Sequence, residues 1–310
     1  MITALSLSPA VDKIYFVDGF RPGGLYRVSN MLKSAGGKGI NVARVASMLG
    51  EKVQVAGFKA GETGRWIETQ IINLGIETFL IEVEGESRTN NNIIDRESSM
   101  ETELLEIGPV IDKKASDALM ENLQKLFSKT SVLVCSGGLP AGVENDFYKK
   151  VIEASKPFGI KTILDSSKEV LREGIKACPY IIKPNLRELS ELAGRELSSM
   201  NDILSFCRQL VDNGVFYVAA SLGKEGAVLV SQEGCFHAVA PSVEAVNTIG
   251  CGDSMVAGIA AGLVRNMRVD EALSLGMACA ASNASFREIG VIDINNVEEY
   301  FKEIKIKKYK

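Results

Sequence analysis

The sequence predicts an α/β fold, with a main sheet whose strands alternate with helices and a small antiparallel sheet beside it. Three features carry this. Short apolar runs of strand length alternate with longer apolar patterns at helical spacing over most of the 310 residues. Polar residues and glycines recur directly after successive strand runs, where open α/β sheets gather their ligands. Between residues 79 and 107, three strand-like runs follow one another with no helix pattern between them. Inside an alternating chain that marks an antiparallel excursion.

The elements follow in order. Residues 2–7 form a buried first strand ending at Ser8-Pro9, and Asp12 comes at its carboxyl end. Residues 14–32, broken by Gly19, Pro22, Gly23 and Gly24, read as one or two short strands crossing out of the main layer. Ser34-Ala35-Gly36-Gly37-Lys38-Gly39-Ile40-Asn41 is a glycine-rich turn into a helix stopped by Gly50. Its glycines let the backbone approach a ligand and Lys38 offers a mobile cation; tight packing is the other reading. It is not a Walker A loop, because Gly39 stands where that loop needs Ser or Thr. Residues 53–58 read as a strand and 62–74 as a helix ended by Gly75. The excursion then comprises 79–83, 88–94 and 102–107, and with residues 14–32 it can form a lid over the strand ends. Arg27 and Arg88 fall in this material, either as solvated side chains or as phosphate forks on the lid.

From residue 113 the alternation returns, with a helix to about 127. A strand at 131–135 runs into Ser136-Gly137-Gly138-Leu139-Pro140, and after a helix the strand 162–165 is closed by Ser166-Ser167. Residues 180–182 lead into Lys183-Pro184-Asn185-Leu186-Arg187-Glu188, and 216–220 end in Ser221-Leu222-Gly223-Lys224-Glu225-Gly226. A hairpin (227–230 and 235–239) precedes two helices, 253–265 and 269–286. Their small residues, among them Gly258, Gly262 and Gly276, favour close packing. A last helix at 295–303 precedes a basic run, 305–310, that reads as a solvated or frayed tail. The stretch Asn247-Thr248-Ile249-Gly250-Cys251-Gly252-Asp253-Ser254 opens the 253–265 helix. Backbone N–H groups of such a turn attract anions, and an aspartate beside them fits a proton-accepting base. Helix capping is the competing reading.

Composition narrows the classes. The formal charge of −4 argues against a general nucleic-acid binder. The start of the chain has no basic n-region, so no signal peptide is expected, and no apolar run nears the ~20 residues of a membrane span. Six cysteines (135, 178, 207, 235, 251 and 279) include no Cys-x-x-Cys pair and read as reduced, mostly buried thiols of a cytoplasmic protein. The single histidine, His237, reads as a surface or half-buried strand residue and rules out a HExxH site.

Taken together, Gly36-Gly37-Lys38-Gly39-x-Asn41, Lys183-Pro184-Asn185-x-x-Glu188, Ser221-Leu222-Gly223 and Gly250-Cys251-Gly252-Asp253-Ser254 resemble the ribokinase-like (PfkB) carbohydrate kinases over essentially the whole chain. The resemblance is strongest to the hexose-phosphate kinase branch, the 1-phosphofructokinases and tagatose-6-phosphate kinases; the run 102–109 also looks like that branch. It implies one three-layer α/β/α domain over residues 1–310, with a mainly parallel sheet and lid segments at about 13–33 and 86–108 that often mediate homodimerisation. It implies ATP and Mg²⁺ as phosphoryl donor, and no nucleic-acid or membrane partner. By similarity Asp253 is the base, and the N–H groups of Gly250, Cys251 and Gly252 hold the transferring charge. Asp12, Gly37, Lys38, Asn41 and Gly138 face the sugar phosphate, on which Arg27 and Arg88 close. Lys183, Asn185, Ser221, Gly223, Gly226 and Asn283 line the nucleotide, and Glu188 orders Mg²⁺ through water. The implied acceptor is fructose 1-phosphate, then tagatose 6-phosphate, then fructose 6-phosphate. The chain departs from the pattern at Ser8 (usually Asn), Gly138 (usually Ser) and Cys251 (usually Ala); the first two put the acceptor in question more than the activity, while Cys251 contributes its backbone and is expected to do little harm.

Overall fold

The structure, a computed structural model, describes residues 1–98 and 100–309. The first half of the chain runs β1 (Ile2–Ser6), β2 (Ala10–Val17), β3 (Met31–Gly36), α1 (Lys38–Met48), β4 (Val53–Ala60), α2 (Gly61–Asn73), β5 (Glu77–Val83), β6 (Arg88–Asp95), β7 (Glu101–Leu105), α3 (Lys113–Phe127) and β8 (Val132–Ser136). There follow α4 (Phe147–Ser155), β9 (Lys161–Asp165), α5 (Lys168–Ile175), β10 (Ile181–Ile182), α6 (Leu186–Ala193), α7 (Met200–Asp212) and β11 (Tyr217–Ser221). The chain ends with β12 (Ala227–Ser231), β13 (Gly234–Ala238), α8 (Cys251–Val264), α9 (Val269–Ala284), α10 (Ile294–Glu303) and β14 (Ile306–Tyr309).

The main sheet has the order β14-β13-β12-β11-β10-β9-β8-β1-β4-β5. It is parallel from β5 to β11, and β12, β13 and β14 add antiparallel at one edge. Parallel strands bury both faces, so their residues alternate between two cores. In β8, Val132 and Val134 face the core formed with α1, α2, α8, α9 and α10. Leu133 and Cys135 face the core formed with α3 to α7. The result is a three-layer α/β/α arrangement. A second sheet, β3-β2-β6-β7, stands apart from it; β2 and β6 are parallel, and β3 and β7 flank them antiparallel. Among the described residues no helix is long and apolar enough to cross a membrane.

Three sequence-based expectations need correction. The run 79–83 does not join the excursion: β5 is the parallel edge strand of the main sheet, where Phe79, Ile81 and Val83 pack on one core and Leu80 on the other. Asp12, expected at the carboxyl end of β1, belongs to β2 of the small sheet. The basic tail is not frayed through its described residues: β14 pairs with β13, Ile306 and Tyr309 pack against the two cores, and Lys307 and Lys308 stay exposed. Lysines on an outer strand suit an edge, where they discourage pairing with another chain.

The helices α8 and α9 meet without side-chain spacers. A Cβ on Gly258 would lie 2.6 Å from the Cα of Gly276 and 2.7 Å from the carbonyl oxygen of Leu275. Gly258→Ala is therefore expected to force the helices apart and cost about 1–3 kcal/mol. Gly138→Ala, where a Cβ would meet nothing within 4 Å, is expected to stay within about 0.5 kcal/mol of the parent. Thermal or denaturant unfolding of the two variants side by side checks this. Equal stability would show that the helix contact is not as tight as described.

Candidate active site

The carboxyl ends of the central strands converge on one buried acid. Asp165 ends β9 and is 1 % exposed. Lys183, just beyond β10, reaches its Oδ1 at 3.1 Å, and Lys38, the first residue of α1, donates to its Oδ2 at 3.1 Å. Ser136, the last residue of β8, donates to Oδ2 at 3.0 Å. Burial acts to raise the Asp165 pKa, but the two lysines outweigh it and hold the carboxyl below the usual range. Burial also opposes the Lys38 ammonium, yet Asp165, Asp253 and Glu188 keep its pKa above the usual lysine value.

Asp253 sits at the start of α8 and is buried. Its Oδ2 accepts from Asn41 Nδ2 at 2.8 Å. Burial lifts its pKa to about 6; Lys38 pulls it down, Asp165 pushes it up, and Asn41 and Lys183 pull it down. The capping reading of this stretch fails. The N-cap is Gly250, in a left-handed conformation at φ 79°, and among the described residues no side chain caps the helix. Of the three backbone donors expected to face an anion, that of Cys251 donates instead to Thr248 O at 3.3 Å. Among the described residues the N–H groups of Gly252 and Asp253 meet no acceptor, leaving a helix N-terminus open to negative charge. Asn283, fully buried, holds this turn from behind. Its Nδ2 donates to Ile249 O at 3.0 Å, and its Oδ1 accepts from Gly290 N–H at 2.8 Å.

The motif Asn185-x-x-Glu188 forms a capping box on α6. Asn185 Oδ1 accepts from Glu188 N–H at 2.8 Å, and Glu188 Oε2 accepts from Asn185 N–H at 2.9 Å. Both residues also line the cleft.

The small sheet closes the other side. Asn90 Nδ2 donates to Asp12 Oδ1 at 2.7 Å. Burial raises the Asp12 pKa against the pull of Asn90, Arg88 and Arg44. A Cβ at position 36 would lie 1.8 Å from Asp12 Oδ2, so only glycine leaves room for that carboxylate. Arg88, Asn90 and Asn92 alternate along β6 and so share one face. The buried Nε of Arg88 and Oδ1 atoms of Asn90 and Asn92 have no partner among the described residues.

Between the two sheets lies a cleft of about 480 Å³. Of the residues expected at a site, it brings together Asp12, Gly37, Lys38, Asn41, Arg88, Lys183, Asn185, Glu188, Ser221, Gly250, Gly252 and Asp253. Arg27 and Gly138 are exposed and do not line it, nor do Gly223, Gly226, Cys251 and Asn283. Sequence reasoning missed Asp165, Asn90 and Asn92. Their signals were an acid ending a buried strand run and a period of two beside Arg88. Among the described residues no three His, Cys, Asp or Glu side chains form a metal cage. The donor set still fits Mg²⁺, which takes one or two carboxylates and fills its shell with phosphate oxygens and water.

The comparisons with known proteins agree with this geometry. A model of the pfkB family carbohydrate kinases matches residues 4–290. The chain is 38 % identical to a tagatose-6-phosphate kinase of Staphylococcus epidermidis, with 99 % of each chain covered. It is 33 % identical to a 1-phosphofructokinase of Bacillus subtilis, again over 99 % of each. The crystal structure of phosphofructokinase-2 from Escherichia coli in complex with potassium superposes with a TM-score of 0.91 at 27 % identity, covering 98 % of each chain. The buried carboxylate at an open helix N-terminus, the lysine-clamped strand ends and the match along the chain lead to one conclusion: the chain belongs to the pfkB family of carbohydrate kinases.

Proposed function

We propose that the chain transfers the γ-phosphoryl group of ATP to a hydroxyl of a ketohexose monophosphate, giving a bisphosphate and ADP. The single observation that carries this is Asp253, a buried carboxylate beside two unpaired N–H groups of a helix N-terminus. Phosphoryl transfer asks a protein chiefly for positioning and charge stabilisation. Asp253 takes the proton of the acceptor hydroxyl, whose oxygen bonds the γ-phosphorus as the bond to the ADP oxygen breaks. The N–H groups of Gly252 and Asp253, with Lys38 and Lys183, face the charge on the transferring group. Arg88 meets the phosphate the sugar already carries, and Asp12, Asn41 and Asn90 meet its hydroxyls. Asn185, Ser221 and Lys183 line the nucleotide side. Glu188, with one oxygen spent on the capping box, would hold Mg²⁺ through water, and the ion would supply neutralisation of phosphate charge.

The acceptor is where two arguments differ. The motifs place fructose 1-phosphate first and tagatose 6-phosphate second, whereas the relative at 38 % identity is a tagatose-6-phosphate kinase. The reading also includes a cytoplasmic homodimer joined through the small sheet, acting as a lid. Six free cysteines support the compartment. The exposed apolar residues Leu25, Met31, Leu104, Leu105 and Ile107, on or beside that sheet, support the dimer.

ADP release with fructose 1-phosphate, tagatose 6-phosphate and fructose 6-phosphate tests the reading; turnover of one of them is expected, and turnover of none sinks it. In the same assay Asp253→Asn is expected to lower kcat by about 10²- to 10⁴-fold while ATP affinity stays nearly unchanged. Unimpaired turnover would remove Asp253 from its role.

The pH profile follows from the same residue. Its pKa is raised to about 6 and its ionised form is the active one. So kcat/KM is expected to be full above that value and to fall as pH drops through it, about tenfold per unit. Full activity maintained down to the ordinary aspartate range would contradict the assignment.

A further inference from the structure

We propose that Arg44 is a positioning residue for this reaction: its guanidinium holds the amide oxygen of Asn41 and so turns the amide nitrogen onto Asp253. The inference rests on the kinase reading above and on the geometry around α1. Arg44 follows Asn41 by three residues, so the two side chains are neighbours on one helix face. Arg44 is 9 % exposed. A guanidinium carries only donors. Its Nη1 donates to Ile289 O at 2.8 Å and, at the longer distance of 3.5 Å, to Asn41 Oδ1, while Nη2 donates to Ala35 O.

An asparagine amide can sit two ways round, because its oxygen and nitrogen ends have nearly the same shape. At Asn41 the neighbours decide. With the oxygen toward Arg44, the nitrogen meets the Asp253 carboxylate and donates at 2.8 Å. Reversed, the amide oxygen would face the carboxylate and the NH₂ would face the cation, two repulsive contacts in a water-poor setting. The cation therefore selects the orientation in which Asp253 Oδ2 is occupied, and Oδ1 is left for the acceptor hydroxyl.

Arg44 also ties this pair to the turn at the phosphoryl side. The carbonyl it holds belongs to Ile289, which lines the cleft. The next residue, Gly290, donates to Asn283, and Asn283 holds Ile249 just ahead of the α8 N-cap. A Cβ on Gly290 would lie 3.2 Å from Arg44 Nη1 and 3.5 Å from the Cα of Asn41, so this loop closes directly over both residues. One guanidinium thus spans the sugar-side helix α1 and the loop behind the base.

Kinetics of Arg44→Met and Arg44→Lys, each in the parent and in an Asn41→Ala background, test this in the full-length enzyme. Arg44→Met is expected to lower kcat tenfold or more, on the order of what misplaced catalytic groups cost. KM for ATP should change by less than about twofold, because Arg44 does not face the nucleotide side. The acid limb of kcat/KM should move upward, because Asp253 loses a donor that favours its ionised form. Lys38 from α1, Asp165 from β9 and Lys183 beyond β10 keep acting on Asp253 in every variant, whereas Asp12 loses in Arg44→Met a charge that pulls its pKa down and keeps a cation beside it in Arg44→Lys. Arg44→Lys keeps a charge and a donor and should recover part of both effects. In the Asn41→Ala background the change at Arg44 should have little further effect on kcat, since its action passes through that amide. An unmoved acid limb, or an equal loss in both backgrounds, would overturn the proposal and leave Arg44 as fold support. Should Arg44→Met fail to fold, Arg44→Lys in the two backgrounds carries the same comparison. If the parent enzyme turns over none of the three sugar phosphates, the kinase reading fails and this inference falls with it; a working parent whose acid limb does not move on Arg44→Met overturns this inference alone.

Discussion

A charge buried where water cannot reach it must be paired, and the cleft is built around that constraint at Asp165. At 1 % exposure its carboxylate has lost nearly all hydration, and an unpaired ion there would be costly. Its partners come from different parts of the fold: Ser136 from β8, Lys183 from beyond β10 and Lys38 from α1. Holding them together fixes the register of neighbouring strand ends and docks the start of α1 onto the sheet. The Lys183–Asp165 pair is buried on both sides, so losing one partner costs about 3–5 kcal/mol. The pairing also leaves two ammonium groups aimed at the cleft, where anionic phosphates can share them with the acid.

Asp253 is treated in the opposite way. It lines the cleft and is also buried, yet among the described residues its one hydrogen-bonded side-chain partner is a neutral amide, that of Asn41. The two acids are therefore driven apart: Asp165 below the usual range, Asp253 up to about 6. Each also acts on the other, since the charge of Asp165 helps to raise Asp253. Two carboxylates set to different proton affinities by their surroundings is a pattern by which a site can divide roles between them, and it supports the role proposed for Asp253.

Much of the α/β alternation was legible in the sequence, because buried strands and amphipathic helices leave periodic traces. The errors came where period carries little information. The β5 run looks like its neighbours in the excursion, and only the pairing with β4 shows that it belongs to the main sheet. The tail 305–310 is dominated by lysines, and the two residues that bury it, Ile306 and Tyr309, are too few to signal a strand. At the cleft, the glycine-rich turns were visible because backbone geometry demands a specific residue type. Asp165 was not, because its meaning depends on Lys38, 127 positions away. The Asn185-x-x-Glu188 motif shows the converse hazard. It reads as a ligand site, yet its immediate geometry is that of a capping box, and the cleft uses only what the cap leaves over.

The same trade between local stability and an open site is visible at α8. A glycine at the N-cap gives up only about a few tenths of a kcal/mol relative to a capping side chain, and here the cap position is held by Gly250. This helix is buried from Asp253 to Leu263 and rests on α9 at glycine contacts that leave no room for a side chain. Packing far from the cleft thus offsets the missing cap, while Asn283 and Gly290 hold the turn in place. The N–H groups of Gly252 and Asp253 then stay free for a ligand instead of being spent on the helix itself. A helix that looks over-packed at one end and under-capped at the other is consistent with a single demand, a rigid support for an unsatisfied anion-binding turn.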